Sequence, residues 1–132
     1  MSKELVAVYG SLRKSGGNDR LLATSEYLGD FKTAPEYTIV SLGGFPGVHH
    51  TGNTEVLMEV YAVDEKTAYR LDCLEGYDPN RTDNTFYDKK KIDTPYGEAS
   101  VYLYVPSIAG KTVVENGDWI DFLSKKETRR YA

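Results

Sequence analysis

The sequence predicts an α+β fold dominated by antiparallel β-structure. Short stretches rich in β-branched and aromatic residues recur with turn residues between them, which is typical of a small barrel or a highly curved sheet. One segment, residues 64–74, instead has apolar residues at helical spacing. The 132 residues, 40% hydrophobic and 27% charged, fit one globular domain, to which we assign residues 1–132.

The first half of the chain is predicted to contain three strands and one short helix. The first strand, residues 5–9, is an apolar run that stops at a Tyr-Gly-Ser turn. A short helix follows at 18–27, with an inner face formed by Leu21, Leu22 and Ala23. The next strand, 36–42, ends at the rigid Gly-Gly-Phe-Pro-Gly loop of residues 43–47, and a second long strand is predicted at 54–63.

The second half is predicted to begin with a helix that Asp64 caps and that continues through Leu74. Ala68, Leu71 and Leu74 share one face of this helix, and Gly76 follows its end. Two further strands form a hairpin around Thr-Pro-Tyr-Gly, and an amphipathic turn or helix comes last; these elements are predicted at 86–93, 98–105 and 118–123.

Composition excludes several classes of protein. The net charge of −4 and the dispersed basic residues argue against a nucleic-acid partner. The sequence contains neither an apolar run of membrane-spanning length nor a signal-peptide core, so we expect no membrane partner. A single cysteine, Cys73, fits a reducing compartment, and we expect a cytoplasmic protein.

Two features could carry chemistry. Gly10 follows the first strand, where we expect it to take a positive φ and to leave neighbouring backbone amides free to bind an anion. Glu75 lies at the end of the predicted helix, where the helix dipole and partial burial would raise the pKa of its carboxyl group. A raised pKa suits a general base, although a solvated glutamate at a helix end is the simpler interpretation.

Three segments of the chain carry a family resemblance. They are Val-Tyr-Gly-Ser-Leu-Arg-Lys at 8–14, followed by Asn18 and Leu21; Glu-Val-Tyr-Ala-Val-Asp at 59–64; and Leu-Asp-Cys-Leu-Glu-Gly-Tyr at 71–77, followed by Tyr87. In this order they resemble the γ-glutamylcyclotransferase-like family, and the last two look most like its γ-glutamylamine cyclotransferase branch. The resemblance implies a small, mainly antiparallel β-barrel with flanking short helices and a pocket at its mouth.

The resemblance also implies an activity, the release of 5-oxoproline and a free amine from a γ-glutamyl amine. It assigns the catalytic role to Glu75 and requires neither a metal nor an organic cofactor. The substrate is a small molecule, and its leaving amine is expected near residues 43–50 and 78–84, the latter either a lid or a solvated loop. The implied substrate-binding residues are Tyr9, Gly10, Ser11, Leu12 and Tyr87.

Other interpretations stay open at this point. The same fold could be a catalytically silent module that binds a small molecule or a protein. A serine-type hydrolase would use Ser11, although the Gly-x-Ser-x-Gly pattern is absent. His49 and His50 could ligate a metal, but an ordinary loop is favoured because adjacent side chains point apart. Cys73 is expected to be a half-buried structural thiol.

Overall fold

Two hydrogen-bonded sheets and two helices make up the described part of the protein. The computed structural model describes residues 4–10, 12–13, 19–42, 45–75, 77–78, 80 and 87–124. The strands are β1 (Glu4–Val8), β2 (Glu26–Lys32), β3 (Tyr37–Ser41), β4 (Pro46–Thr54), β5 (Leu57–Val63), β6 (Tyr87–Thr94), β7 (Gly97–Tyr104) and β8 (Thr112–Val113). The helices are α1 (Glu65–Glu75) and α2 (119–124), and a 3-10 turn spans Asp19–Leu22.

Strand β1 lies at the centre of the larger sheet, whose order is β2-β5-β1-β7-β6, while β4-β3-β8 forms the smaller sheet. β1 is antiparallel to β5 and parallel to β7. Alternate residues of β1 face two cores: Ala7 packs toward the smaller sheet, with Ile39 and Val48, and Val6 packs toward α1, with Leu71. The end of β1 therefore emerges between the two sheets and the helix.

Helix α1 forms where its capping and apolar residues predict it. The Asp64 carboxylate accepts a hydrogen bond from the backbone N–H of Thr67 at 2.8 Å, and Ala68 and Leu71 are buried. After Glu75, the last helical residue, the N–H of Tyr77 donates to the carbonyl of Asp72 at 2.8 Å. The hairpin of β6 and β7 and helix α2 also confirm the sequence predictions.

The helix predicted at 18–27 is wrong beyond its first turn. Only Asp19–Leu22 is helical, in a 3-10 turn, and Glu26–Lys32 forms β2, an edge strand that pairs with β5. Its pairing register shifts between Tyr27 and Gly29, and none of its side chains is fully buried. Because this edge strand has no buried face, its sequence lacks the alternation of apolar and polar residues by which a half-buried strand is recognised.

The prediction of a rigid loop at 43–47 and one strand at 54–63 is also wrong in part. β4 begins at Pro46, and residues 55–56 do not belong to a strand, so they separate β4 from β5. At this break the N–H of Val56 donates to the Thr33 hydroxyl and the N–H of Leu57 donates to the carbonyl of Gly117, both at 2.9 Å. These distant partners satisfy the backbone groups that a continuous strand would pair with its neighbours.

The predicted barrel is not confirmed. Among the described strands, β2 and β6 form opposite edges of the larger sheet, and β3, β4 and β8 belong to the other sheet. The mixed α+β class is as predicted. None of the helices in the described ranges has the length and apolar character that a membrane-spanning segment needs.

Candidate active site

A cavity of about 260 Å³ lies where β1 ends, beside the last turn of α1. Its volume is just below the range of about 300–1,000 Å³ that is typical of pockets for drug-sized ligands, so it suits a small substrate. Its described wall consists of Ala7, Val8, Tyr9, Gly10, Leu12, Phe45, Pro46, Leu74, Glu75, Tyr87 and Tyr102.

The structure brings five of the six predicted site residues to this one cavity. Tyr9, Gly10 and Leu12 follow β1, Glu75 ends α1, and Tyr87 begins β6. Ser11 lies outside the described residues. The turn after β1 and the end of α1, which are far apart in the sequence, therefore line the same cavity. The substrate-binding role of these residues stays a prediction.

Glu75 is the ionisable group best suited to proton transfer in this wall. Burial raises the pKa of its carboxyl group from the usual 4.5 to about 7, because the carboxylate loses hydration in the partly enclosed cavity. The direction agrees with the sequence prediction. At neutral pH both protonation states of Glu75 are populated, so it can accept and return a proton.

Tyr9 and Tyr87 contribute rings to the wall rather than free hydroxyl groups. The Tyr9 hydroxyl donates a hydrogen bond to the carbonyl oxygen of Tyr102 at 2.5 Å, and the Tyr87 hydroxyl donates to that of Pro46 at 3.0 Å. Burial is the main cause that raises the pKa of both phenols, and the nearby Glu75 adds to it. Both tyrosines therefore stay neutral, and they fix the shape of the cavity.

A charged network that sequence reasoning missed holds the last turn of α1 in place. The Tyr102 hydroxyl donates to a carboxylate oxygen of Asp72 at 2.5 Å, and the Lys89 ammonium lies 3.1 Å from the same oxygen. Lys89 also pairs with Glu4 at 3.1 Å. Because Asp72 lies three residues before Glu75, these bonds fix the rotation of the helix and the direction in which Glu75 points.

The turn after β1 has its own anchor, Arg13, which the sequence analysis also missed. The Arg13 backbone N–H donates to the carbonyl of Gly10 at 3.0 Å. Its buried guanidinium pairs with Glu59 at 3.1 Å and with Asp118 at 2.8 Å, and the Tyr61 hydroxyl donates to Glu59 at 2.8 Å. Arg13 thus ties the cavity-lining turn to β5 and to the start of α2. Both carboxylates are distant in sequence, so no local pattern reveals them.

Gly10 is required for a reason different from the one predicted. Its φ is not in the positive region, in which five other glycines of the described residues lie, so the predicted left-handed turn is wrong. A Cβ atom on residue 10 would instead lie 2.6 Å from Cγ of Pro46, well inside contact distance. The absence of a side chain lets β1 and β4 approach each other at the cavity.

We expect Gly10→Val to lower both activity and stability, because its side chain must displace Pro46. Overpacking of this kind costs about 1–3 kcal/mol in the free energy of unfolding. Urea unfolding and kcat/KM measure the two effects. Ala109→Val, which adds bulk to an exposed residue, is the control, and Ser11→Ala should be milder than Gly10→Val. Equal losses in Gly10→Val and Ala109→Val would contradict the close-approach argument.

Two other candidates from the sequence have ordinary surroundings. His49 and His50 belong to β4 rather than to a loop, and their ring nitrogens contact the Thr51 hydroxyl at 2.8 Å and Glu36 at 3.4 Å. Among the described residues, no group of three or more His, Cys, Asp or Glu side chains is arranged to hold a metal. Cys73 is exposed, so the expectation of a half-buried thiol is wrong.

Comparison with known proteins agrees with this architecture. Escherichia coli YtfP, a gamma-glutamylcyclotransferase family protein, is 40% identical over 116 residues, which cover 88% of this chain and 96% of YtfP. The solution structure of E. coli ytfP matches with a TM-score of 0.68 at 39% identity, over 89% of this chain and 97% of that one.

More distant structures share the fold. PH0828 from Pyrococcus horikoshii matches with a TM-score of 0.77 at 23% identity, and the match covers 95% of this chain and 97% of that one. A mouse AIG2-like protein has a TM-score of 0.69 at 20% identity, with 87% and 88% covered. The model of the family described as "Gamma-glutamyl cyclotransferase, AIG2-like" matches residues 6–121. The chain belongs to this gamma-glutamyl cyclotransferase, AIG2-like family.

Proposed function

We propose that the protein is a cyclotransferase that converts a γ-glutamyl amine into 5-oxoproline and the free amine. One observation carries the proposal: Glu75, whose pKa is raised to about 7 by burial, shares a small cavity with the turn that follows β1. Membership of the cyclotransferase family supports the same chemistry. The reaction needs a proton acceptor beside a site that folds the substrate, and we assign both roles to this cavity.

Glu75 is assigned the role of general acid and base. Its carboxylate accepts a proton from the α-ammonium of the glutamyl group, and the freed nitrogen attacks the δ-carbonyl carbon of the same molecule. A carbon–nitrogen bond forms, which closes the five-membered ring, while the carbonyl electron pair moves to oxygen. Glu75 then protonates the leaving nitrogen, and the bond to that nitrogen breaks as the carbonyl re-forms. The ring nitrogen loses its second proton, which the departing amine takes up. Overall, two protons therefore pass from the α-ammonium to the amine, which departs as an ammonium ion.

Binding is assigned to the turn after β1 and to the tyrosine rings. Backbone amides of Gly10, Ser11 and Leu12 are proposed to hold the glutamyl group and the developing oxyanion. The rings of Tyr9 and Tyr87 enclose the glutamyl chain and favour the folded conformation that cyclises. Arg13 keeps this turn in place through Glu59 and Asp118.

Product analysis tests the proposal directly. The purified protein, incubated with γ-glutamyl amines and γ-glutamyl amino acids, should release 5-oxoproline that mass spectrometry detects. The absence of 5-oxoproline from every substrate would favour a catalytically silent binding module. Free glutamate in place of the lactam, lost in Ser11→Ala, would indicate a serine-type hydrolase instead.

The pH dependence of catalysis follows from the pKa of Glu75. As a base, Glu75 must be unprotonated in the free enzyme, so kcat/KM should rise with pH, reach half of its maximum at about pH 7 and level off at about pH 8. An unperturbed glutamate would have reached this plateau by about pH 5.5. Initial rates between pH 5 and pH 8.5 measure the profile. A flat profile across this range would rule out a base with a raised pKa.

A further inference from the structure

We propose that the leaving amine carries an uncharged apolar group, which binds between Phe45 and Leu74; this inference rests on the proposed function. Both side chains line the cavity that contains Glu75. Phe45 is 49% exposed and Leu74 is 43% exposed, so each presents apolar surface to solvent at the cavity wall. Leu74 immediately precedes Glu75 and lines the same cavity, so the apolar surface lies in the cavity to which the reaction is assigned.

The exposure of Leu74 departs from the helical pattern of α1. Ala68 and Leu71 share its face and are buried under the larger sheet. Leu74 lies one turn further on, where the helix ends, and reaches the cavity instead of the core. Of the large apolar side chains that are exposed in the described part of the chain, Phe45 and Leu74 are the two that line this cavity. A ligand that covers them removes this apolar surface from water, which favours binding.

The charge of the described wall points to the same class of leaving group. Glu75 is the one acidic residue there, and the described lining contains no Lys, Arg or His. A carboxylate on the leaving group would be repelled by ionised Glu75, and the described part of the wall supplies no cation to compensate. A second ammonium would compete with the α-ammonium for Glu75, the group that must take its proton. An alkyl chain does neither.

Three substrates of matched length test the inference. They are the γ-glutamyl amides of n-pentylamine, of 1,4-diaminobutane and of 4-aminobutyrate, whose leaving amines end in a methyl group, an ammonium and a carboxylate. We expect kcat/KM, measured from 5-oxoproline release, to be at least about tenfold higher for the pentylamide, because small apolar groups in a matching pocket give discrimination of roughly 10–200-fold.

Variants at the two side chains locate the preference. Phe45→Ala and Leu74→Ala should raise KM for the pentylamide and leave kcat nearly unchanged, because the contact is the same in ground and transition states. KM for the diaminobutane amide should change little. Leu74→Asp should shift the preference toward the diaminobutane amide. Val105→Ala and Val113→Ala are controls, since these valines are 49% and 43% exposed but lie outside the described cavity wall.

The outcomes separate this inference from the proposed function. If 5-oxoproline forms equally fast from all three amides, or fastest from a charged one, the apolar subsite is wrong and the cyclotransferase stands. If none forms, the cyclotransferase proposal fails, and calorimetric binding of the three amides decides the subsite alone. Binding of the pentylamide that is no tighter than binding of the charged amides would then overturn it.

Discussion

Glu75→Gln is expected to lower kcat by about 10²–10⁴-fold, the usual cost of losing a positioned general base. Glutamine keeps the size and hydrogen-bonding ability of the side chain but cannot accept the proton of the α-ammonium. Initial rates of 5-oxoproline formation measure the effect at pH 8, because wild-type Glu75 is mostly ionised at that pH. A glutamine variant with nearly wild-type kcat would remove Glu75 from the mechanism.

The same variant should fold, and its stability provides an independent check. The folded-state pKa of Glu75 lies above its usual value, so ionisation of this group opposes folding. The cost is absent below about pH 4.5, grows as pH rises, and is complete above about pH 7. Glu75→Gln should therefore be more stable than wild type at pH 8, by about 1–3 kcal/mol, and similar at pH 4.5. Urea unfolding at both pH values measures the difference, and a constant difference would contradict the burial of the carboxylate.

Arg13→Met is expected to cause the largest loss of stability, about 3–5 kcal/mol in the free energy of unfolding. The substitution leaves the Glu59 carboxylate without its guanidinium partner, in a position where its side chain is only 5% exposed. Asp118 loses the same guanidinium. Arg13→Lys should recover part of the loss, because lysine restores the charge but not the forked geometry that reaches both carboxylates.

An exposed ion pair supplies the control for Arg13. Lys90 pairs with Asp88 at 3.2 Å, with side chains that are 61% and 39% exposed, so Lys90→Met should cost no more than about 1 kcal/mol. Chemical denaturation of both variants gives the comparison. Similar losses for Arg13→Met and Lys90→Met would show that burial of the Arg13 cluster does not matter. Because Arg13 also anchors the turn after β1, Arg13→Lys should raise KM even where the protein stays folded.

Candidate site residues could be predicted from the sequence where their neighbours in the chain define them. The turn after β1 follows an apolar run, and Glu75 follows the last helical position of α1, so both have a local signature. Phe45 and Pro46 fall within the segment 43–50 where the leaving amine was expected, whereas Tyr102 has no local signature. The place of all three in the cavity wall depends on how β4 and β7 pack against β1. The sequence therefore predicted Glu75 and the turn after β1, both of which line the cavity, but not the contributions of Leu74 and Tyr102 to its wall.

The sequence by itself determined the elements whose signals are local. The apolar run of β1, the Asp64 cap and helical spacing of α1, and the turn between β6 and β7 each involve residues close in the chain. Periodicity and capping depend on residues within a few positions of one another in the chain. These elements can therefore be recognised before any tertiary contact is known.

Only the tertiary structure decided the rest. β2 forms because it pairs with β5. The strand is interrupted at residues 55–56 because Thr33 and Gly117 accept hydrogen bonds from the backbone of Val56 and Leu57. A side chain on residue 10 would collide with Pro46, and Arg13 is needed to pair with two carboxylates from other elements. Each of these contacts joins residues far apart in the chain, and their energies depend on burial and close approach, which exist only once the sheets and α1 have packed together.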